Sequence, residues 1–201
     1  EGGRISVLDI DKNIHHDYSG RYAFYHTDVS NGVQVQNAIA TAIAKFGDID
    51  ILVNNAGIVQ YATVTEATEE HWDLILNVNL KSAFLCAKYS IPSMLKKDKG
   101  VVVNIASVQA FVSQHKVAAY TTSKTALLGL TRSIAIDYAP HIRCVAVCPG
   151  TVDTPMLQQA IKESPNPAEV YQECIDMHPV KKLATPAEVA ELIAFLASDK
   201  A

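Results

Sequence analysis

Ile49-Asp50-Ile51-Leu52-Val53-Asn54-Asn55-Ala56-Gly57 is the stretch on which the fold turns. Residues 49–53 read as an apolar strand buried on both faces, and they run straight into small residues and a glycine that let a backbone approach a ligand closely. Working outward, residues 101–105 and 142–147 have the same character. Residues 5–8 and 22–26 are shorter apolar runs that end near the carboxylates Asp9 and Asp28. The segments between them have helical periodicity. After Asn31 and Gly32, the apolar residues Val33, Val35, Ile39, Ala42, Ile43 and Phe46 recur near every 3.6 positions and stop at Gly47. Two longer helical patterns cover about residues 68–97 and 118–138. Thr185-Pro186-Ala187-Glu188 is a capped start with proline at the first helical position, leading into Val189, Leu192, Ile193 and Leu196. Strands alternating with helices of this length imply βαβ units, hence an α/β fold with a parallel sheet covered on both faces. With no linker or repeat, residues 1–201 are expected to form one domain. In such sheets ligands bind beyond the carboxyl ends of the strands, which directs attention to the residues after positions 8, 26, 53, 105 and 147.

Composition narrows the function classes. The 201 residues are 49% hydrophobic and 19% charged, which supports a packed core and excludes a disordered chain. Lys and Arg number 17 against 21 Asp and Glu, a net charge of −4 with no extended basic run, so nucleic acid is not an expected partner. Cys86, Cys144, Cys148 and Cys174 lack metal or redox spacing and read as reduced small hydrophobes, which fits a cytoplasmic protein. No run of about 18 apolar residues and no signal-like start is found, so a soluble chain with no membrane partner is expected. The chain opens at Glu1 and enters an apolar strand at once, as a portion of a longer protein would.

The residues with chemical potential cluster after the strands. Tyr120 and Lys124 are spaced i, i+4, so on a helix an ammonium stacks beside a phenol and favours phenolate; the ordinary alternative is a surface pair. Ser107 follows the strand at 101–105 and can add a second hydroxyl. Asn54, Asn55, Ala56 and Gly57 form either a ligand-facing turn or a plain one. Asn79 falls inside a helical run, where a buried amide needs partners. Pro149-Gly150-Thr151-Val152-Asp153-Thr154 leaves another strand end, with Asp153 or Thr154 also suited to cap a helix. Asp9 can accept from a ribose diol. His15, His16 and Asp17 lack further ligands at metal spacing, so no metal is expected.

Together, Asp9, Asp28, Asn54-Asn55-Ala56-Gly57, Asn79, Ser107, Tyr120-x-x-x-Lys124 and Pro149-Gly150 occur in the order and spacing of the short-chain dehydrogenase/reductase family, which the chain resembles across nearly its whole length. Asn104-Ile105-Ala106-Ser107-Val108-Gln109-Ala110, Ile136-Asp137-Tyr138-Ala139-Pro140 and Cys148-Pro149 are most similar to the archaeal aldohexose (glucose 1-) dehydrogenases within it. The resemblance implies a Rossmann-like doubly wound parallel sheet in three α/β/α layers, and an NAD(P)-dependent oxidoreductase. The implied catalytic set is Asn79, Ser107, Tyr120 and Lys124. Tyr120 is the acid/base, Lys124 depresses its pKa and binds the nicotinamide ribose, Ser107 holds the substrate oxygen, and Asn79 holds a water. The implied cofactor contacts are Asp9, Asp28, Val29, Asn55, Ala56, Gly57, Tyr120, Lys124, Pro149, Gly150, Val152 and Thr154. NAD is expected over NADP because Asp9 would repel a 2′-phosphate. Substrate would meet Ser107, Gln109 and Tyr120, with residues 151–182 as a substrate-loop segment in which His178 joins Gln114 and His115 as polar partners. The expected substrate is an aldose oxidised at C1. A 3-oxoacyl-thioester reductase, a polyol or steroid dehydrogenase, and a non-catalytic binding protein are the alternatives. Apolar positions Ala83, Phe84, Ala87, Leu127, Leu130 and Ile134 on the two long helices suggest a second buried face, and in the family such helices pair in a homotetramer. The family's glycine-rich turn and last strand are not found in these residues, and Ala106 replaces a frequent serine.

Overall fold

The computed structural model describes residues 3–13 and 20–201; the His15, His16, Asp17 cluster lies outside the described residues. Strands β1 (Ile5–Asp9) and β2 (Tyr22–His26) pair in parallel. Strands β3 (Ile51–Asn54), β4 (Gly100–Ile105) and β5 (Ile142–Val147) form a second parallel group in the order β3-β4-β5. The helices are α1 (Gly32–Phe46), α2 (Glu69–Leu76), α3 (Ser82–Lys96), α4 (Ala118–Asp137), α5 (Pro155–Lys162), α6 (Pro167–Asp176) and α7 (Pro186–Ala197).

Side-chain alternation along β4 builds the layers. Val102 joins Ala87, Ile91 and Met94 of α3 and Ile134 of α4 on one face, while Val101 and Val103 meet Ile193 and Leu196 of α7 on the other. Helix α1 packs Val35 and Ile39 against Leu85 and Cys86 of α3, and Leu8 of β1 and Leu52 of β3 both close on that cluster. Helices on both faces of parallel strands make this a Rossmann-like α/β fold.

Local signals set most boundaries. Asn31 caps α1 by accepting from the Val33 and Gln34 amides, and Gly47 ends it at φ +87°, a conformation a side chain disfavours. Thr185 and Glu188 form a full capping box on α7, and of the two cap candidates Thr154 is the one that starts α5.

Three expectations need correction. The strand expected at 49–53 begins at Ile51, because the Ile49 amide is held by Ser93 Oγ at 3.1 Å. It is not buried on both faces either: Ile51 is 46% exposed, lying on the edge of the β3-β4-β5 group. The helical run at 68–97 is not one α-helix. It is interrupted at residues 77–81 by a π-helical turn that holds Asn79. The presumed second apolar face is mostly interior to this chain, since Ala83, Ala87, Leu127 and Ile134 are buried in its own core and Phe84 alone of the six stands 48% exposed.

Candidate active site at the strand ends

The parallel register brings Asn54, Ile105 and Val147 to one edge, and the chain continues from each into the singled-out motifs. Pairing persists past the strands: Ala106 N–H donates to Val147 O at 2.8 Å and Val108 N–H to Pro149 O at 2.8 Å. Ser107 is thereby fixed beside the Pro149 turn. Beneath them runs a buried polar chain. Asn54 Nδ2 donates to Asn104 Oδ1 (2.8 Å), Asn104 Nδ2 to Thr131 Oγ1 (2.8 Å), and Thr131 Oγ1 to Leu127 O (2.8 Å). Asn54 is consumed in stapling β3 to β4 and α4, leaving Asn55, Ala56 and Gly57 as the turn that faces outward.

Helix α4 delivers Tyr120 and Lys124 to this edge. Ser107 stands near enough to Tyr120 to lower its pKa, and its Oγ accepts from the Gln109 amide at 3.1 Å. Lys124 is only 4% exposed; its Nζ donates to Ile105 O at 2.7 Å and lies 5.7 Å from the Tyr120 ring centroid. Gly57 lies directly above it, where an added Cβ would come within 3.3 Å of Nζ and 3.6 Å of Asn79 Oδ1. Asn79 is buried with its amide engaged: Oδ1 accepts from Ile58 N–H (2.8 Å), and Nδ2 donates to Ile58 O (2.9 Å) and Ser123 Oγ (3.0 Å). Ser123 Oγ in turn donates to Tyr120 O at 2.7 Å. The π-turn is what aims Asn79 inward, a local device that often accompanies function.

Electrostatics follow burial. Desolvation lowers Lys124 from 10.5 to about 8, a fall opposed in small part by Cys148. Desolvation also raises Tyr120, against a lowering by Ser107 and with a further rise from Tyr61. The net direction for Tyr120 is upward, against the lowering expected from Lys124. The ammonium sits off the ring and gives its hydrogen bond to Ile105 O, so burial of the phenol prevails.

The remaining candidates divide. Asp9 ends β1 with Oδ1 accepting from the Asp11 amide (2.9 Å); Asp28 Oδ1 takes both N–H and O–H of Ser30 (2.9 and 2.7 Å). Among the described residues nothing bonds the second carboxylate oxygen of either. Val29 packs on the α1–α3 cluster. Val152 bridges to Ala184, and Thr154 Oγ1 caps α5. Gln109 and Gln114 pair with each other, Nε2 to Oε1 at 2.8 Å; Gln114 also reaches Met177 Sδ (3.6 Å). His178, expected among the substrate's polar partners, has its ring turned onto Gly150 and accepts from the Thr151 amide at 3.1 Å.

Sequence reasoning missed Ser123, Tyr61 and the cavity behind Tyr61. The need of a buried Asn79 for partners was the one signal that pointed toward Ser123. The cavity, of 610 Å³, lies between the turn after Gly57 and α5, with Ile58, Tyr61, His71, Met156 and Glu163 in its wall. All four cysteines are free. Among the described residues no group of His, Cys, Asp or Glu is arranged to hold a metal, and no helix is long and apolar enough to cross a membrane.

Comparison with known proteins shows what the chain is similar to. The family profile described as enoyl-(acyl carrier protein) reductase matches residues 2–201. An uncharacterized oxidoreductase of Thermotoga maritima is 38% identical over 208 residues, covering 100% of this chain and 82% of the relative. Dehydrogenase/reductase SDR family member 6 of Danio rerio is 39% identical over 205 residues, with 100% and 82% covered. The ligand-free structure of the Thermoplasma acidophilum aldohexose dehydrogenase superposes with a TM-score of 0.91 at 38% identity, over 98% of this chain and 78% of that one.

Proposed function

The chain belongs to the short-chain dehydrogenase/reductase family of NAD(P)-dependent oxidoreductases, and on that footing we propose that Tyr120, Ser107, Lys124 and Asn79 oxidise a hemiacetal or alcohol carbon, with an aldose C1 as the substrate. The observation that carries the assignment is Tyr120 beside Ser107, with the Nζ of a buried Lys124 5.7 Å from its ring centroid. Ser107 Oγ holds the substrate oxygen, and Tyr120 Oη removes its proton as the C–H bond of the same carbon breaks; in reverse, Tyr120 protonates the alkoxide. The nicotinamide dinucleotide, when bound, supplies the hydride acceptor or donor. Its fit is supported by the bare backbone at Gly57, which lies close over Lys124 Nζ where a side chain would crowd it. Lys124 and Asn55 to Gly57 would hold its nicotinamide half with Pro149, Gly150, Val152 and Thr154, and Asp9, Asp28 and Val29 its adenosine half. Both donors of Asn79 are used within the protein, so a water there would rest on the second lone pair of Oδ1.

Support for an aldose comes from the aldohexose dehydrogenase likeness and from a cavity that sets His71, Gln159 and Glu163 around the apolar Ile58, Val59 and Met156. Gln109, being paired to Gln114, supports it less than its position promised. With the full-length protein, turnover of aldoses with NAD is expected to exceed that of 3-oxoacyl thioesters and polyols, read as nicotinamide absorbance across a substrate panel; thioester reduction without aldose turnover would overturn the choice. In the same assay NAD should give the higher kcat/KM, since the second Asp9 oxygen repels a 2′-phosphate of charge near −2. Asp9→Ala should close most of that gap, and a preference for NADP in the wild type would refute it.

The cytoplasm is the proposed location, in keeping with four free cysteines. A homotetramer is the proposed assembly. Its support now rests on Phe84, Trp72 and Leu95 of the α2–α3 region, which stand exposed. Light scattering at micromolar concentration should give four chains, and a monomer would contradict it.

A further inference from the structure

Three hydrogen bonds fasten the strip after β5 to the chain beyond α6. Asp153 N–H donates to Ala184 O at 2.8 Å, Ala184 N–H to Thr151 O at 3.1 Å, and Thr151 N–H to Nε2 of His178 at 3.1 Å. The first two flank the parallel Val152–Ala184 bridge; the third is made by a side chain. An accepting Nε2 requires the neutral ring with its proton on Nδ1. The same ring covers Gly150, where an added Cβ would lie 2.6 Å from Cε1 and 3.3 Å from Nδ1. The backbone of His178 is held on both sides, its N–H donating to Ile175 O (3.1 Å) and its carbonyl accepting from Lys181 N–H (2.9 Å). Lys181 closes the turn through Asp176 Oδ1 at 3.0 Å. The end of α6 therefore sets where the imidazole stands.

We infer that His178 is a positioning residue for nucleotide binding: it fixes the Pro149-Gly150-Thr151 turn by accepting the Thr151 amide and by packing its ring on Gly150, coupling α6 to the nicotinamide side of the site. The inference rests on the oxidoreductase reading given above. Without the acceptor the Thr151 amide turns to water, and the turn can settle at more than one distance from Lys124. A side chain at position 150 would meet this ring.

The test uses the full-length protein and its His178→Leu, His178→Ala and His178→Gln variants, with NAD and NADP affinities by calorimetry beside steady-state kinetics and thermal unfolding. Leucine keeps bulk over Gly150 without an acceptor and alanine removes both; each should weaken nucleotide binding about threefold to tenfold, the loss of one hydrogen bond. Nucleotide KM should rise in step, while the KM for the alcohol and the Tm stay near wild type. Glutamine offers an acceptor at similar reach and should restore affinity to within about twofold. Unchanged affinity in the leucine variant, equal losses in the glutamine and leucine variants, or a fall in Tm with every kinetic constant moving together would overturn the positioning role. A wild type that binds neither nucleotide would defeat the oxidoreductase reading and this inference with it. Binding by the wild type with unaltered variants would defeat the inference alone.

Discussion

Tyr120→Phe is expected to cut kcat by about 10³- to 10⁴-fold, the upper reach of general acid–base catalysis, while nucleotide affinity measured by calorimetry stays within about twofold. The ring, half-buried between Ser107 and the Lys124 ammonium, keeps its packing and its 5.7 Å contact with Nζ; only the proton carrier is lost. The pH dependence follows from the same group. Tyr120 must be a phenolate to accept a proton, and burial raises its pKa above the ordinary 10.0. Alcohol oxidation by the wild type should therefore climb with pH from neutrality upward, and carbonyl reduction, which needs the phenol, should fall at the alkaline end. The phenylalanine variant should show neither slope. Retention of more than about a tenth of wild-type kcat would reject the acid/base role, since no group that contributes so little is the proton carrier.

How far the sequence reaches can be seen at particular residues. Asn31, Gly47, Thr185 and Glu188 act through neighbours within four positions, so helix ends were legible from local chemistry alone. The buried β4 was legible because every residue of its apolar run faces a helix layer. The exposure of Ile51 and the separation of β1-β2 from β3-β4-β5 were not, because they depend on which strands become neighbours rather than on their composition. The π-turn escaped because one extra residue in a helical turn barely disturbs a 3.6-residue pattern, yet it is what carries Asn79 to Ser123. Helix α6 escaped too, since Pro167–Asp176 buries only Cys174 and has little apolar periodicity to read. Tyr120, Lys124 and Ser107 were legible as a set of residue types in order. The direction of the Tyr120 pKa was not, for it is decided by the depth of burial and by where Lys124 spends its hydrogen bond. His178 shows the same limit: a polar residue in the right segment, with its ring turned to the opposite neighbour.

Lys124→Met should leave a protein that is more stable and nearly inactive. Burial lowers Lys124 to about 8 from an ordinary 10.5, a gap worth about 3 kcal/mol of differential interaction. Below pH 8 the lysine is charged in the folded and unfolded chain alike, so folding bears the full cost of taking an ammonium out of water, offset in part by the bond to Ile105 O. Methionine fills similar space without that charge, and a net gain of about 1–2 kcal/mol at pH 7 should raise Tm by about 2–8 °C. Between about 8 and 10.5 the unfolded chain binds a proton that the folded chain has released, so wild-type stability increases with pH. The advantage of the variant should therefore shrink across that window and vanish above it. Calorimetric scans from pH 6 to 11 would read this, and a variant that is less stable at pH 7 by an amount independent of pH would overturn it. In the same protein kcat/KM should fall about 10²- to 10³-fold, because the cation beside Tyr120 is gone, and nucleotide binding should weaken as the ammonium under Gly57 disappears. A buried charge that costs the fold stability while its hydrogen bond goes to a single backbone carbonyl has its explanation in what the site does, and the opposite signs of the two effects separate that explanation from a structural role.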